Sequence, residues 1–384
     1  MALKVHARRT AWAGLVAACL VGVVVGCSSS GTNGASGGGA SVTTMSPAQA
    51  DLRINQLQVL GMHNAYHVEP TPENLAKYIA VSAEAATLAY SHDPLDQQFQ
   101  NQGIRQVELD ITQDPTGQKF RPKGVVGSKV FHIEAIDEGS TCLTLVECLT
   151  VVKTWSDANQ DAIPLGVQLE IKDNNPLTPA QFDSIDAEIR SVFPPDRLIT
   201  PDDVRGDKPT LESAVLTTGW PRLEDSRGKV MFVLDNREDE YTAGGHPSLE
   251  GRVAFPPSTP GKPDAAFLKE NDPSGANLAR IQDEVRKGYL IRTRADSEVT
   301  TPTSGDTTQR EAALASGAQW VSTDYPLPGM AARYNGSTYV AQIPGGTPAR
   351  CNPINGPTGC ENSWIETSPI PTPTAGSSTP PSTG

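Results

Sequence analysis

A chain of 384 residues with 44 acidic and 31 basic side chains carries a formal charge of −13. Residues 1–26 hold three of the positive charges and no negative ones, so the remainder stands at 28 basic against 44 acidic side chains, or −16. That balance argues against nucleic acid as a partner and against electrostatic adhesion to anionic lipid, and it suits a protein that collects divalent cations.

The chain opens with Lys4, Arg8 and Arg9 ahead of an apolar run from Ala11 to Val25, too short and wrongly flanked for a stable transmembrane span. Residues 1–26 read as a secretory signal. The run closes on Val24-Val25-Gly26-Cys27, a lipobox-like pattern followed by "SSSGTNGASGGGAS". Cys27 is therefore expected to be the lipidated first residue of an exported lipoprotein anchored on the extracytoplasmic face, with residues 27–45 as a flexible tether. The alternative is an ordinary cleaved signal and a freely secreted protein. Cys19 fits a lipobox only loosely, because the apolar segment before it is very short.

One globular segment runs from about residue 46 to 339, too long for most single sandwiches and normal for an eightfold barrel. Eight β-like runs follow in order: Leu57 to Met62, Arg105 to Ile111, Lys129 to Ile133, Leu165 to Ile171, Lys229 to Leu234, Arg252 to Phe255, Tyr289 to Thr293 and Gln319 to Thr323. Between most of them lie helical patterns, among them "NLAKYIAVSAEAATLAY", "LTLVECLTVVKTW", "TPAQFDSIDAEIRSVF", "NLARIQDEVRKG" and "TTQREAALASG", with Gly288 and Gly317 in C-cap position. Strand–helix alternation implies parallel pairing, and eight strands close a barrel. Thr112 to Ser128 is the exception: its Pro and Gly content leaves no room for a helix, so the barrel is expected to be irregular there.

Export also bears on the cysteines. Beyond Cys19 and Cys27, four remain, and the spacing of Cys142, Cys148, Cys351 and Cys360 suggests two local disulfides. Cys142 and Cys148 cannot share one regular helix, since six helical rises separate the Cα atoms by roughly 9 Å, beyond disulfide reach. A helix is expected to begin between them. Residues 340–384 are rich in Pro, Gly and Thr, and their end should be disordered.

In a parallel barrel the C-terminal strand ends form the mouth. The first run ends in His63 and Asn64. "RQVELDIT" places Glu108 and Asp110 on one face, "GVQLEIKD" does the same for Glu170 and Lys172, "KVFHIEAID" carries His132, and "YLIRTRAD" carries Arg292 and Arg294. Each has a plainer reading: packing for a lone histidine, a salt-bridged terminus for the paired acids, a barrel-core ion pair for Arg292. His67 and His246, in loop-like contexts, are expected at the surface. The joint occurrence argues for a site, because unpartnered buried acids are costly. Asn64, Glu108, Asp110 and Glu170 are hard oxygen donors without a thiolate, which suits Ca2+ better than zinc. Such a cation with two histidines fits phosphodiester cleavage, one imidazole donating to the phosphoryl oxygens and one protonating the leaving alkoxide.

The segments "GMHNAYH", "GIRQVELDIT", "FHIEAID", "LEIKD" and "IRTRADS…SGAQWVSTDYP", spread from about Asp51 to Pro328, resemble the calcium-dependent phosphatidylinositol-specific phospholipase C family of secreted bacterial type. The resemblance implies a distorted TIM (β/α)8 barrel of the PLC-like phosphodiesterase kind. It also implies catalytic histidines at His63 and His132 and calcium ligands at Asn64, Glu108, Asp110 and Glu170. In that family an inositol 2-hydroxyl attacks the phosphate and releases diacylglycerol. Here His63 would stabilise the transition state, His132 would protonate the leaving oxygen, and Glu108 or Glu170 would be the base. Lys172 and Arg292 are candidate phosphate or headgroup contacts. The implied partner is a phospholipid at a membrane surface, met by a monomer. A glycerophosphodiester phosphodiesterase and a non-catalytic barrel lipoprotein are the rival readings.

Overall fold

The structure is a computed structural model that describes residues 45–366 and 370. The signal, Cys27, nearly all of the tether and the end of the tail lie outside the described residues. Among the described residues no helix is long and apolar enough to cross a membrane.

Among the described residues, eleven strands form one sheet: β1 Leu57–Met62, β2 Ile104–Asp114, β3 Gly127–Val130, β4 Leu165–Ile171, β5 Leu198–Ile199, β6 Val230–Leu234, β7 Ala254–Phe255, β8 Phe267–Lys269, β9 Leu290–Arg294, β10 Trp320–Thr323 and β11 Ala349–Cys351. From β1 the parallel ladder runs one way through β2, β4, β6 and β7, and the other way through β10, β9 and β8. The two ends meet at a parallel bridge between Pro257 and Phe267, beside which the Ser258 N–H donates to Phe267 O at 3.0 Å. The sheet is thus a distorted (β/α)8 barrel, weakest between β7 and β8.

The expected count of eight holds, but its membership needs one correction. The third predicted run, Lys129 to Ile133, is not a barrel strand. It forms β3, which pairs antiparallel with the outer end of β2, Ile111 opposite Val130 and Asp114 opposite Gly127. The reason lies in the stretch before it: a parallel neighbour needs a long crossover, usually helical, and a chain without that helix turns back on the strand it has just left. The place in the ring goes to β8, three residues whose burial leaves no readable alternation. The crossover from β2 to β4 is carried instead by the helix Leu145–Ala158, capped by Thr144 and packed against the helix Pro179–Val192. Phe182, Ile185 and Ile189 of the latter face the core at helical spacing.

The helix at Leu145 does begin between Cys142 and Cys148, which are bonded with Cα atoms 5.2 Å apart; Cys351 and Cys360 form the second disulfide. Gly288 and Gly317 end their helices at φ 107° and 76°, the left-handed conformation that favours glycine. Part of the Pro-rich tail returns to the barrel, where β11 lies antiparallel on the N-terminal half of β1 at the end remote from the mouth.

Candidate active site

Every residue of β1 is buried, so the first side chain with access to the mouth is the one that follows it. His63 lies there, and register decides what it meets. Met62 pairs with Thr323 of β10, which puts the next residues, His63 and Asp324, side by side, with Nδ1 3.3 Å from Asp324 Oδ1. The same oxygen takes His92 Nε2 at 3.1 Å, and the Asp324 N–H donates to Asp296 Oδ1 at 3.1 Å. Burial pushes the Asp324 carboxyl up, but His63 and His92 hold it well below the usual carboxylate range. For His63 the balance is reversed: burial and Arg294 push the imidazolium down, yet Asp324 and Glu108 outweigh them and its proton is held above the ordinary value. Arg294 also reaches Glu298, with Nη2 3.0 Å from Oε1 and His63 Nε2 3.7 Å from that oxygen.

Asn64 turns the chain at φ 43°, a conformation asparagine tolerates better than most residues. Its Nδ2 donates to Tyr90 Oη at 2.8 Å, while its Oδ1 is buried without a hydrogen bond. Glu108 and Asp110 share the inner face of β2, and the β2–β4 register sets Asp110 opposite Glu170. One oxygen from each of these three acids lies within 4.8 Å of the others. Arg292 reaches Glu108 Oε2 at 2.5 Å and Ser322 Oγ at 3.2 Å. Only 1 % exposed, Arg292 is placed as the barrel-core ion pair rather than at the open mouth. Lys172 Nζ stands 3.1 Å from Glu170 and 3.3 Å from Asp110 Oδ2, though neither Asp110 oxygen has a properly aimed hydrogen bond. Burial, then Glu170 and Glu108, push the Asp110 carboxyl up to about 7 against the pull of Lys172 and His132. Burial lowers Lys172, but the two acids outweigh it and hold its proton tightly.

These residues fit a hard divalent cation. Two Asp110 oxygens and Asn64 Oδ1 are buried and unsatisfied beside two further carboxylates, and an unpaired buried acceptor is expensive unless something positive meets it.

His132 is on the loop after β3, not at the tip of a barrel strand. Its Nδ1 lies 2.8 Å from Asp137 Oδ2, and so does His67 Nε2. The expectation of a surface position for His67 is therefore corrected: it is fully buried and stacked on Tyr90 at 4.1 Å. His246 stays on a half-buried loop, its Nδ1–H donating to Glu250 O at 2.6 Å, away from this constellation. Sequence reasoning did not single out Asp324, Asp137 or His92. Asp324 could have been found by the rule that found His63, since it stands one residue past a predicted strand; Asp137 is the last residue of "FHIEAID".

The mouth of the parallel barrel thus holds two imidazoles, each backed by a buried carboxylate, next to a cluster of hard oxygen donors, an arrangement able to move protons beside a cation. Residues 52–353 match the family described as phosphoinositide phospholipase C, Ca2+-dependent, and the chain belongs to that family. Among solved structures it is similar to the calcium-dependent phosphoinositol-specific phospholipase C of a Gram-negative Pseudomonas sp, at 16 % identity over 80 % of this chain and 98 % of that one with a TM-score of 0.51. A Ca2+-dependent phosphatidylinositol-specific phospholipase C from Streptomyces antibioticus is 20 % identical over 72 % of this chain and 95 % of its own, with a TM-score of 0.49. A glycerophosphoryl diester phosphodiesterase from Parabacteroides distasonis follows at 12 % identity over 75 % and 89 %, with a TM-score of 0.30. At these identities the likeness to the Pseudomonas enzyme concerns the fold. No curated protein matches.

Proposed function

We propose that this protein is a calcium-dependent phospholipase C that cleaves phosphatidylinositol-type lipids to diacylglycerol and a cyclic inositol phosphate. The observation that carries the reading is the pairing of His63 with Asp324 and His132 with Asp137 at the mouth that also holds Glu108, Asp110 and Glu170. Each imidazole spends Nδ1 on a carboxylate, which leaves Nε2 to face the substrate. His63, its proton held by Asp324, donates to the phosphoryl oxygens as charge builds on them. His132 gives its proton to the glycerol oxygen as the P–O bond breaks, while a carboxylate takes the proton of the inositol 2-hydroxyl that attacks phosphorus. Glu108 is tied to Arg292 and Glu170 is more open, which favours Glu170 as that base. Asn64, Glu108, Asp110 and Glu170 would hold calcium, whose chemistry is to polarise the phosphoryl group and lower the pKa of the attacking hydroxyl.

A bilayer substrate is supported by the rim near His132. Ile79, Val81, Ile133 and Ile136 are exposed there, on a helix and a loop joined by the Tyr78 Oη–Ala135 O bond. The two disulfides suit an oxidising, extracytoplasmic setting. Anchoring through Cys27 belongs to the same proposal, and Cys27→Ser should release the protein into the medium; a variant that still fractionates with membrane refutes the anchor.

The test of function is release of water-soluble inositol phosphate from phosphatidylinositol vesicles with calcium and with chelator. A cyclic phosphate formed only with calcium supports the reading, and free glycerol phosphate from glycerophosphoinositol would favour the glycerophosphodiesterase. The roles of the histidines separate on leaving group. His132→Ala should be partly rescued by an inositol nitrophenyl phosphate, whose leaving group needs no proton, and His63→Ala should lose a similar factor, on the order of 10² or more, with either substrate. Equal losses for both variants on both substrates would remove this division of labour.

A further inference from the structure

The catalytic reading leaves the buried His67 without a role, and the geometry around it is specific. His67 Nε2 and His132 Nδ1 lie 2.8 Å from one and the same oxygen, Asp137 Oδ2, with the two rings nearly perpendicular at 87°. Burial pushes the Asp137 carboxyl up, but the bonds from His132 and His67 hold it below its ordinary range, so it is ionised and both ring nitrogens donate to it.

The two histidines differ in how they are held. His132 and Asp137 stand five residues apart on one short loop, and their backbones bond chiefly to each other, the N–H groups of His132 and Ile133 both donating to Asp137 O. A dyad carried on a single loop can swing as a unit without breaking its internal bond. His67, by contrast, belongs to the turn that leaves β1. Its N–H donates to Asn64 O at 2.8 Å, its carbonyl accepts from the His92 N–H at 2.9 Å, and its ring is stacked on Tyr90. Flanking it, Thr141 N–H donates to Tyr66 O and Val68 N–H to Gly139 O, so the turn and the loop run side by side. Among the described residues, His67 is the one imidazole whose position is fixed by the barrel and whose hydrogen bond reaches the dyad.

We propose that His67 is a positioning residue for the proton transfer: it anchors Asp137 to the β1 turn, and through Asp137 it aims His132 at the leaving oxygen. One turn, His63 to His67, then supplies the donor to the phosphoryl group, a calcium ligand and the anchor of the acid. The inference rests on the proposed role of His132. It adds that the acid functions only while a residue that does not touch substrate holds its carboxylate.

The test uses the whole protein with saturating calcium, three single variants of His67, His132→Ala, and His67→Phe combined with His132→Ala. His67→Phe keeps the ring on Tyr90 and removes the donor, His67→Gln keeps a donor at similar reach, and His67→Asn keeps an amide too short for Asp137. His67→Phe should lower kcat on phosphatidylinositol by roughly 10- to 100-fold, the scale of loss when a reacting group is misplaced by about an ångström, with KM little changed and most of the loss recovered on the nitrophenyl substrate. His67→Gln should stay within about threefold of wild type and His67→Asn should behave like His67→Phe. Added to His132→Ala, His67→Phe should cost nothing more. Losses that multiply with His132→Ala, or that are the same on both substrates, overturn the inference. So do equal activities for the Gln and Asn variants, a comparison that holds should the Phe variant fold poorly. A readout independent of turnover is the downfield proton resonance of His132 Nδ1–H in its bond to Asp137: it should persist in His67→Gln and broaden or vanish in His67→Asn, and its survival in both refutes the anchoring. An inactive wild type would defeat the proposed function; an active wild type with an uncoupled His67 would defeat this inference alone.

Discussion

Asp110 lies fully buried among Glu108, Glu170 and Lys172, and its carboxyl is pushed up from 3.8 to about 7. A carboxyl whose pKa is higher in the folded than in the unfolded state binds its extra proton within that window. Without calcium, this group's contribution to stability should therefore be full below the unfolded value, fall as pH rises from about 4 to 7, and be absent above. The gap of about 3 pH units corresponds to roughly 4 kcal/mol at 1.36 kcal/mol each. That figure is already net of the attraction of Lys172 at 3.3 Å, and Asp110→Asn removes the charge on which both act. The net gain in chelator at pH 8 is then up to about 4 kcal/mol, a rise in Tm of roughly 6 °C for a chain of this size. Calcium should give the opposite ranking: the wild type gains the binding free energy and the variant gains little. The assay is thermal unfolding of both proteins from pH 5 to 8, with chelator and with calcium. A variant that melts below the wild type in chelator at pH 8, or that gains as many degrees from calcium, would refute the picture of Asp110 as a repelled carboxylate awaiting a cation.

Asp324→Asn removes the group that outweighs burial and Arg294 at His63, so the imidazole should titrate at lower pH by NMR and kcat/KM at neutral pH should fall about 10²-fold or more; an unmoved titration would mean that Asp324 does not hold the proton. Arg292→Met leaves Glu108 as a buried charge without its partner and should cost about 3–5 kcal/mol in a denaturant titration with chelator; wild-type stability combined with a raised KM would return Arg292 to the substrate. Gly139→Ala would put a Cβ 2.0 Å from the Val68 carbonyl oxygen, which is backbone and cannot step aside. It should destabilise by about 1–3 kcal/mol and lower kcat by disturbing the seam between the His67 turn and the Asp137 loop, and an unchanged melting curve would show that the seam can open without cost.

Local chemistry made much of this protein readable in advance. A strand that runs apolar and then breaks into His63-Asn64 announces its own end at the mouth. Glu108 and Asp110 share a face because a strand repeats every two residues. Cys142 and Cys148 forced a helix start between them because a helix cannot bring residues six apart into bonding distance. These facts depend on covalent geometry and on a few neighbours along the chain, so composition and spacing carry them.

Residues far apart in the chain meet by register, and register is decided only when the sheet closes. Asp324 reaches His63 across 261 positions because β10 lies beside β1 with Thr323 opposite Met62. Arg292 meets Glu108 across 184 positions inside the ring and turns inward for that reason. The run at Lys129 has the pattern of a barrel strand, yet the missing crossover helix folded it back on β2, and that excursion carries His132 and Asp137 to where His67 waits. The sequence by itself determined that His63 and Asn64 end a strand and that Glu108 and Asp110 share one face, since alternation and strand ends are local. Which of them would be partners, which would be buried and which would stay open to substrate was decided only by the tertiary structure, because burial and pairing are properties of elements brought together from opposite ends of the chain.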